Sequence, residues 1–129
     1  MRGNPRRRLE RARLHRFERY VRDAIDELPE PILSMLDNVD IVVEDEPASN
    51  QVEDRGDCIF GLYQGTPLTE RDTAYGMVLP DKITIFRGPL ERSFRLRREL
   101  VQEIRITIAH ELGHHFGIDE DRLAELGLA

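Results

Sequence analysis

His110-Glu111-Leu112-Gly113-His114-His115-Phe116-Gly117-Ile118-Asp119-Glu120 is the stretch on which the reading of this chain turns. It holds H-E-x-x-H, a glycine three residues after the second His, and then a run of acids. On an α-helix turning about 100° per residue, His110 and His114 lie about 40° apart on one face. Their imidazoles can share one metal ion at Zn–N distances of about 2.0–2.1 Å. Glu111 flanks that face, where a carboxylate can reach a water without displacing it. Gly117 suits the left-handed conformation that commonly ends a helix. The reversed chain can then return an acid as a third donor, and Glu120 holds that position. Asp119 and Asp121 flank it as alternatives, Asp119 being better suited to capping the next helix. Chance gives H-E-x-x-H in roughly one chain in eighty of this composition. Requiring Gly117 and Glu120 as well lowers that to roughly two in ten thousand, so the pattern is a signal.

Working outward, residues 96–116 read as one helix. Leu100, Ile104, Ile108 and Leu112 recur at every fourth position and must face a core. His110 and His114 fall in a neighbouring row with Glu103 and Ile106, at the border of the apolar face. A packed helix holds such ligands rigidly. His115 points about 140° away from His110 and is not expected to join the same ion. Residues 119–128 should form a last short helix capped by Asp119.

The rest of the chain supplies layers for that helix to pack on. Leu14, Phe17, Val21, Ile25 and Leu28 place an amphipathic helix over residues 9–28, stopped by Pro29 and Pro31. A helical turn over 32–36 follows. Strands are expected at 39–43, 58–64 and 82–87, where β-branched or alternating apolar residues run between turn signals. Residues 44–57 and 66–81 are polar and carry Pro and Gly, as loops do. Pro89 suits the first position of a short helix through residue 94. Helices and strands in this order give an α+β fold: a small twisted mixed sheet packed by an N-terminal helix and the long motif helix.

Composition sets the outer bounds. A chain of 129 residues, 40% hydrophobic and 34% charged, matches one globular domain over 1–129. No apolar run approaches the roughly 20 residues that span a bilayer, so no membrane partner is expected. The single cysteine, Cys58, cannot form an intrachain disulfide and reads as a small buried hydrophobe. With no apolar signal core at the N-terminus, these features favour a cytoplasmic location. Residues 1–22 carry nine Arg against Glu10 and Glu18, a balance of +7 in a chain of net charge −6, so the remainder carries −13. Residues 1–8 are expected to be a mobile basic tail. The basic helix face is expected to be solvated and to meet the acidic body, which argues against a nucleic-acid partner.

Three blocks carry a family resemblance: Gly61-Leu62-Tyr63-Gln64-Gly65-Thr66-Pro67-Leu68-Thr69-Glu70-Arg71, Leu79-Pro80-Asp81-Lys82-Ile83-Thr84-Ile85-Phe86, and His110 through Leu123. Over roughly residues 60–125 the chain resembles the short bacterial zincin-like metallopeptidases, or mini-zincins. The resemblance implies a compact α+β zincin-like minimal domain with one zinc ion per chain, held by His110, His114 and an acid. The family pattern has Asp where this chain has Glu120. Zincins braced by a Met-turn place that Met after the motif; the last Met here is Met77, so that subclass is excluded.

The expected chemistry is metal-assisted hydrolysis of a peptide or protein substrate, with Glu111 as general base. An extended substrate can add to the edge of the strand over 58–64. Tyr63 or Tyr75 can add an oxyanion donor, packing being the plainer role for both. Two other classes compete. The zinc-binding endoribonucleases of ribosomal RNA maturation use three His at the spacing of His110, His114 and Glu120, but the acid at Glu120 and the acidic body oppose that resemblance. A zincin scaffold that holds peptides without cleaving them needs the same helix. An edge strand and an amphipathic first helix are also compatible with a homodimer.

Overall fold

The structure, a computed structural model, describes residues 3–49, 59–65 and 80–129. Cys58, Tyr75, Met77 and most of the two expected loops lie outside these residues. Helix α1 spans Pro5–Asp26. It starts at Pro5 rather than residue 9, because Asn4 caps it: the Arg6 N–H donates to Asn4 Oδ1 at 2.9 Å. Pro5 at the first helical position has no N–H to leave unpaired. Residues 5–8 are therefore helix and not tail. Phe17, Val21 and Ala24 are buried, and through them α1 packs on the motif helix. A single turn, α2 (Ile32–Met35), seats Ile32 in the core.

The sheet has three strands among the described residues: β1 (Val39–Glu44), β2 (Gly61–Gln64) and β3 (Asp81–Phe86), in the order β1-β3-β2. β1 runs parallel to β3 and β2 antiparallel to it, giving the mixed sheet that the sequence predicts. Ile83, Thr84, Ile85 and Phe86 are fully buried, so the middle strand is covered on both faces. Helix α3 (Arg87–Ser93) follows β3 without a loop. Pro89 is thus its third residue and not its first. The Gly88 N–H, an otherwise orphan first-turn donor, is taken by the Asp45 carbonyl at 2.8 Å. Arg87 donates to Asp45 at 2.9 and 3.0 Å and to Glu91 at 3.0 Å, fastening α3 to the end of β1.

The motif helix α4 spans Arg97–Phe116, and α5 spans Glu120–Glu125. Leu100, Ile104, Ile108 and Leu112 are buried as the periodicity requires. α4 lies along β2, and Gly61 sets how close they come. A Cβ at Gly61 would stand 2.6 Å from Thr107 Cγ2 and 3.1 Å from the Thr84 carbonyl oxygen. No described helix is long and apolar enough to cross a membrane.

The expected meeting of basic helix and acidic body takes a different form. Among the described residues, the only α1 arginine with an acidic partner is Arg13, and that partner is Glu10 of the same helix, at 3.7 Å. Acids of α1 make the contacts instead: Asp23 meets Arg97 at 2.6 Å and Glu10 meets Arg87 at 3.5 Å. The arginines lie mostly on the face opposite Phe17 and Val21, where no acid among the described residues outside α1 pairs with them.

Candidate metal centre

α4 ends where the motif needs it to end. Gly117 has φ +76°, a left-handed conformation that glycine adopts without the side-chain clash other residues meet there, and its N–H donates back to the Gly113 carbonyl. Ile118 N–H donates to the same carbonyl at 2.9 Å. Asp119 then caps α5, its Oδ1 accepting from the Arg122 N–H at 2.8 Å. Leu123 and Leu128 are buried and hold this return segment against α4. At Gly113 the return turn lies so close to α4 that a Cβ would sit 3.1 Å from the Ile118 carbonyl oxygen, and 3.3 Å from Leu123 Cδ1 of α5.

This reversal brings Glu120 back over His110, with Oε1 3.2 Å from Nδ1. The His110 and His114 rings stand 4.2 Å apart between centroids. One donor atom from each of His110, His114 and Glu120 lies within 4.8 Å of the others. Two imidazole nitrogens and a carboxylate oxygen suit a zinc-type ion, and they are close enough for one ion to draw together. Asp119 spends its carboxylate on the α5 cap, and Asp121 is not in the cluster. His115 is also outside it.

Glu111 behaves differently from the other three. It is buried, 7% exposed, and its Oε1 accepts the Tyr63 N–H from β2 at 3.0 Å. The geometry follows from the close approach at Gly61. Thr107 and Glu111 are one helical turn apart, a rise of about 6 Å. Gly61 and Tyr63 are two strand residues apart, about 6.6 Å. Helix and strand therefore stay in step, and Glu111 arrives opposite a backbone donor.

The sequence reading missed what braces this contact. The Tyr63 ring stacks on His115 with centroids 4.0 Å apart and planes 17° from parallel. Its hydroxyl donates to Asp81 Oδ2 at 2.5 Å, and His115 Nε2 stands 4.0 Å from the same oxygen. The Tyr63 hydroxyl is thus engaged with Asp81 at the start of β3, in keeping with the packing role. His115 joins Tyr63 instead of the histidine pair. The only hint in the sequence was the 140° offset of His115, which says where the ring is not.

A histidine pair on a helix, with a carboxylate returned by the following turn, defines a zincin-type centre. Residues 36–128 match the family model described as zincin-like metallopeptidase. The chain belongs to that family. No curated protein matches it. The family carries a metal ion, typically zinc, and the small mixed α/β architecture is that of a minimal zincin-like domain.

Proposed function

We propose that this protein is a zinc-dependent peptidase, with His110, His114 and Glu120 as zinc ligands and Glu111 as general base. The observation that carries the reading is the convergence of those three donors within 4.8 Å at a helix end where Glu111 is buried and hydrogen-bonded. Bound there, zinc supplies Lewis acidity, which makes water nucleophilic near neutral pH and draws electron density from a carbonyl.

The chain's own residues do the rest. The Tyr63 N–H fixes Glu111 Oε1, so the carboxylate keeps one orientation and presents Oε2 to the reacting water. Glu111 Oε2 takes a proton from that water as its oxygen attacks the peptide carbonyl carbon. It returns the proton to the nitrogen as the C–N bond breaks, leaving an acid and an amine. An extended substrate lies along β2, which among the described residues is an end strand of the sheet, beside α4.

The test pairs metal content with turnover of a mixed peptide library. His110→Ala, His114→Ala and Glu120→Ala should each lose stoichiometric zinc. Glu111→Gln should keep the zinc and lose about 100- to 10,000-fold in rate. Undiminished cleavage by Glu111→Gln would falsify the general-base role. A zinc-loaded chain that cleaves no peptide reduces the protein to a zincin scaffold for peptide binding.

A further inference from the structure

His115 is exposed on α4, so its burial contributes little to the core. What its ring touches is Tyr63, the residue whose N–H holds Glu111. Thr107, Glu111 and His115 recur at every fourth position and form one row on the helix. That row runs along β2: Thr107 meets Gly61, Glu111 takes the Tyr63 N–H, and His115 lies flat on the Tyr63 ring. Viewed down the axis, His114 is about 40° from His110, Glu111 about 100° and His115 about 140°. Glu111 therefore stands between the histidine pair and His115.

Tyr63 needs such a hold. The Phe86 N–H donates to the Phe60 carbonyl at 2.8 Å, and along an antiparallel pair bonded residues alternate with unbonded ones. Phe60, Leu62 and Gln64 thus turn their backbone polar groups to β3, while Gly61 and Tyr63 turn theirs away from it. The Tyr63 N–H is not tied into the ladder with β3, so its direction depends on what fixes the rest of the residue. Its ring stacks on His115 with centroids 4.0 Å apart and planes 17° from parallel. Its hydroxyl donates to Asp81 Oδ2 at 2.5 Å, at the start of the neighbouring strand. Phe116 adds an edge against both rings, with centroids 6.3 Å from Tyr63 and 4.9 Å from His115. α4 grips this one residue twice, by its N–H through Glu111 and by its ring through His115.

We infer that His115 is a positioning residue: by stacking on Tyr63 it keeps the Tyr63 N–H aimed at Glu111 Oε1, and so holds Glu111 Oε2 toward the reacting water. The consequence for hydrolysis rests on the peptidase reading; the grip on Glu111 does not. The role asks for a flat ring and not for a proton. His115 Nε2 stands 4.0 Å from Asp81 Oδ2, too far for a hydrogen bond. A phenyl ring should therefore replace the imidazole, and a methyl group should not.

Amide hydrogen exchange, read residue by residue by NMR on the full chain with and without zinc, tests the clamp independently of turnover. His115→Ala should speed exchange at Tyr63 about two- to tenfold, the worth of one aromatic pair, and leave Ile104 and Ile108 in the core unchanged. On a peptide that the parent cleaves, it should lower kcat about tenfold with KM within about twofold. His115→Phe should restore both. Unchanged Tyr63 exchange in His115→Ala overturns the inference. So does a His115→Phe chain as impaired as His115→Ala, which would make imidazole chemistry the cause. Faster exchange spread evenly over the core also overturns it, because His115 would then be merely structural. A parent that cleaves no peptide, with the exchange pattern as expected, rejects the peptidase reading and leaves the clamp standing.

Discussion

Replacing Gly61 by Ala should separate β2 from α4 and release Glu111 without touching the cluster of His110, His114 and Glu120. The new Cβ would meet Thr107 Cγ2 at 2.6 Å, whereas carbon atoms pack at about 3.5–4.0 Å. Strand and helix must therefore part by about 1 Å at that point. Carried two residues along the strand, the same shift takes the Tyr63 N–H to Glu111 contact from 3.0 Å to about 4 Å, beyond hydrogen-bonding reach. Overpacking of this kind costs about 1–3 kcal/mol. At this chain length that lowers Tm by about 3–5 °C per kcal/mol. If Glu111 is the base, a displacement of about 1 Å also costs up to about a hundredfold in kcat. Zinc affinity, measured by titration calorimetry, should hold, because His110, His114 and Glu120 sit beyond the contact. Thr107→Ser deletes only the clashing Cγ2 and should recover most of both losses in the double variant. A Gly61→Ala protein that melts with the parent, or a loss that Thr107→Ser leaves untouched, refutes the proposed helix–strand register.

Two further substitutions probe the same frame. Gly117→Ala places a side chain at φ +76° and should cost about 1–2 kcal/mol in thermal unfolding. It should also weaken zinc binding, because it disturbs the turn that returns Glu120. Glu103 tests the apolar border of α4, where burial pushes its carboxyl above the ordinary value of 4.5. With the folded pKa raised, the native state binds more protons than the unfolded one in the window above 4.5, so stability falls as pH rises through it. Glu103→Gln should therefore raise Tm at neutral pH and give no gain below that window. An equal gain at both pH values would assign the effect to packing.

The cluster could be read from the sequence because its logic is local. His110 and His114 are neighbours by helical period, Gly117 ends the helix by its conformational freedom, and Asp119 caps the next by its short acid. Each needs only the few residues around it. The start of α1 was equally local, signalled by Asn4-Pro5, but apolar periodicity begins only at Leu14 and draws the boundary too late. Non-local contacts were not legible. Tyr63 and Glu111 are 48 positions apart, and their hydrogen bond depends on the gap that Gly61 leaves against Thr107. No periodicity in either segment encodes that gap. Asp81 and His115 meet around Tyr63 for the same reason: the antiparallel pairing of β2 with β3 places the tyrosine near the start of β3. The order β1-β3-β2, which leaves β1 and β2 at opposite ends, is likewise a product of the assembled sheet.

Glu120 reaches the cluster differently from the histidines. His110 and His114 ride on a helix anchored along its length by Leu100, Ile104, Ile108 and Leu112, while Glu120 hangs on a short span between Gly117 and buried Leu123. The centre is half anvil and half latch. On the proposed assignment, an ion of larger or smaller radius would be met by swinging the latch, leaving the anvil still, so cation exchange would not disturb the sheet or loosen the hold on Glu111.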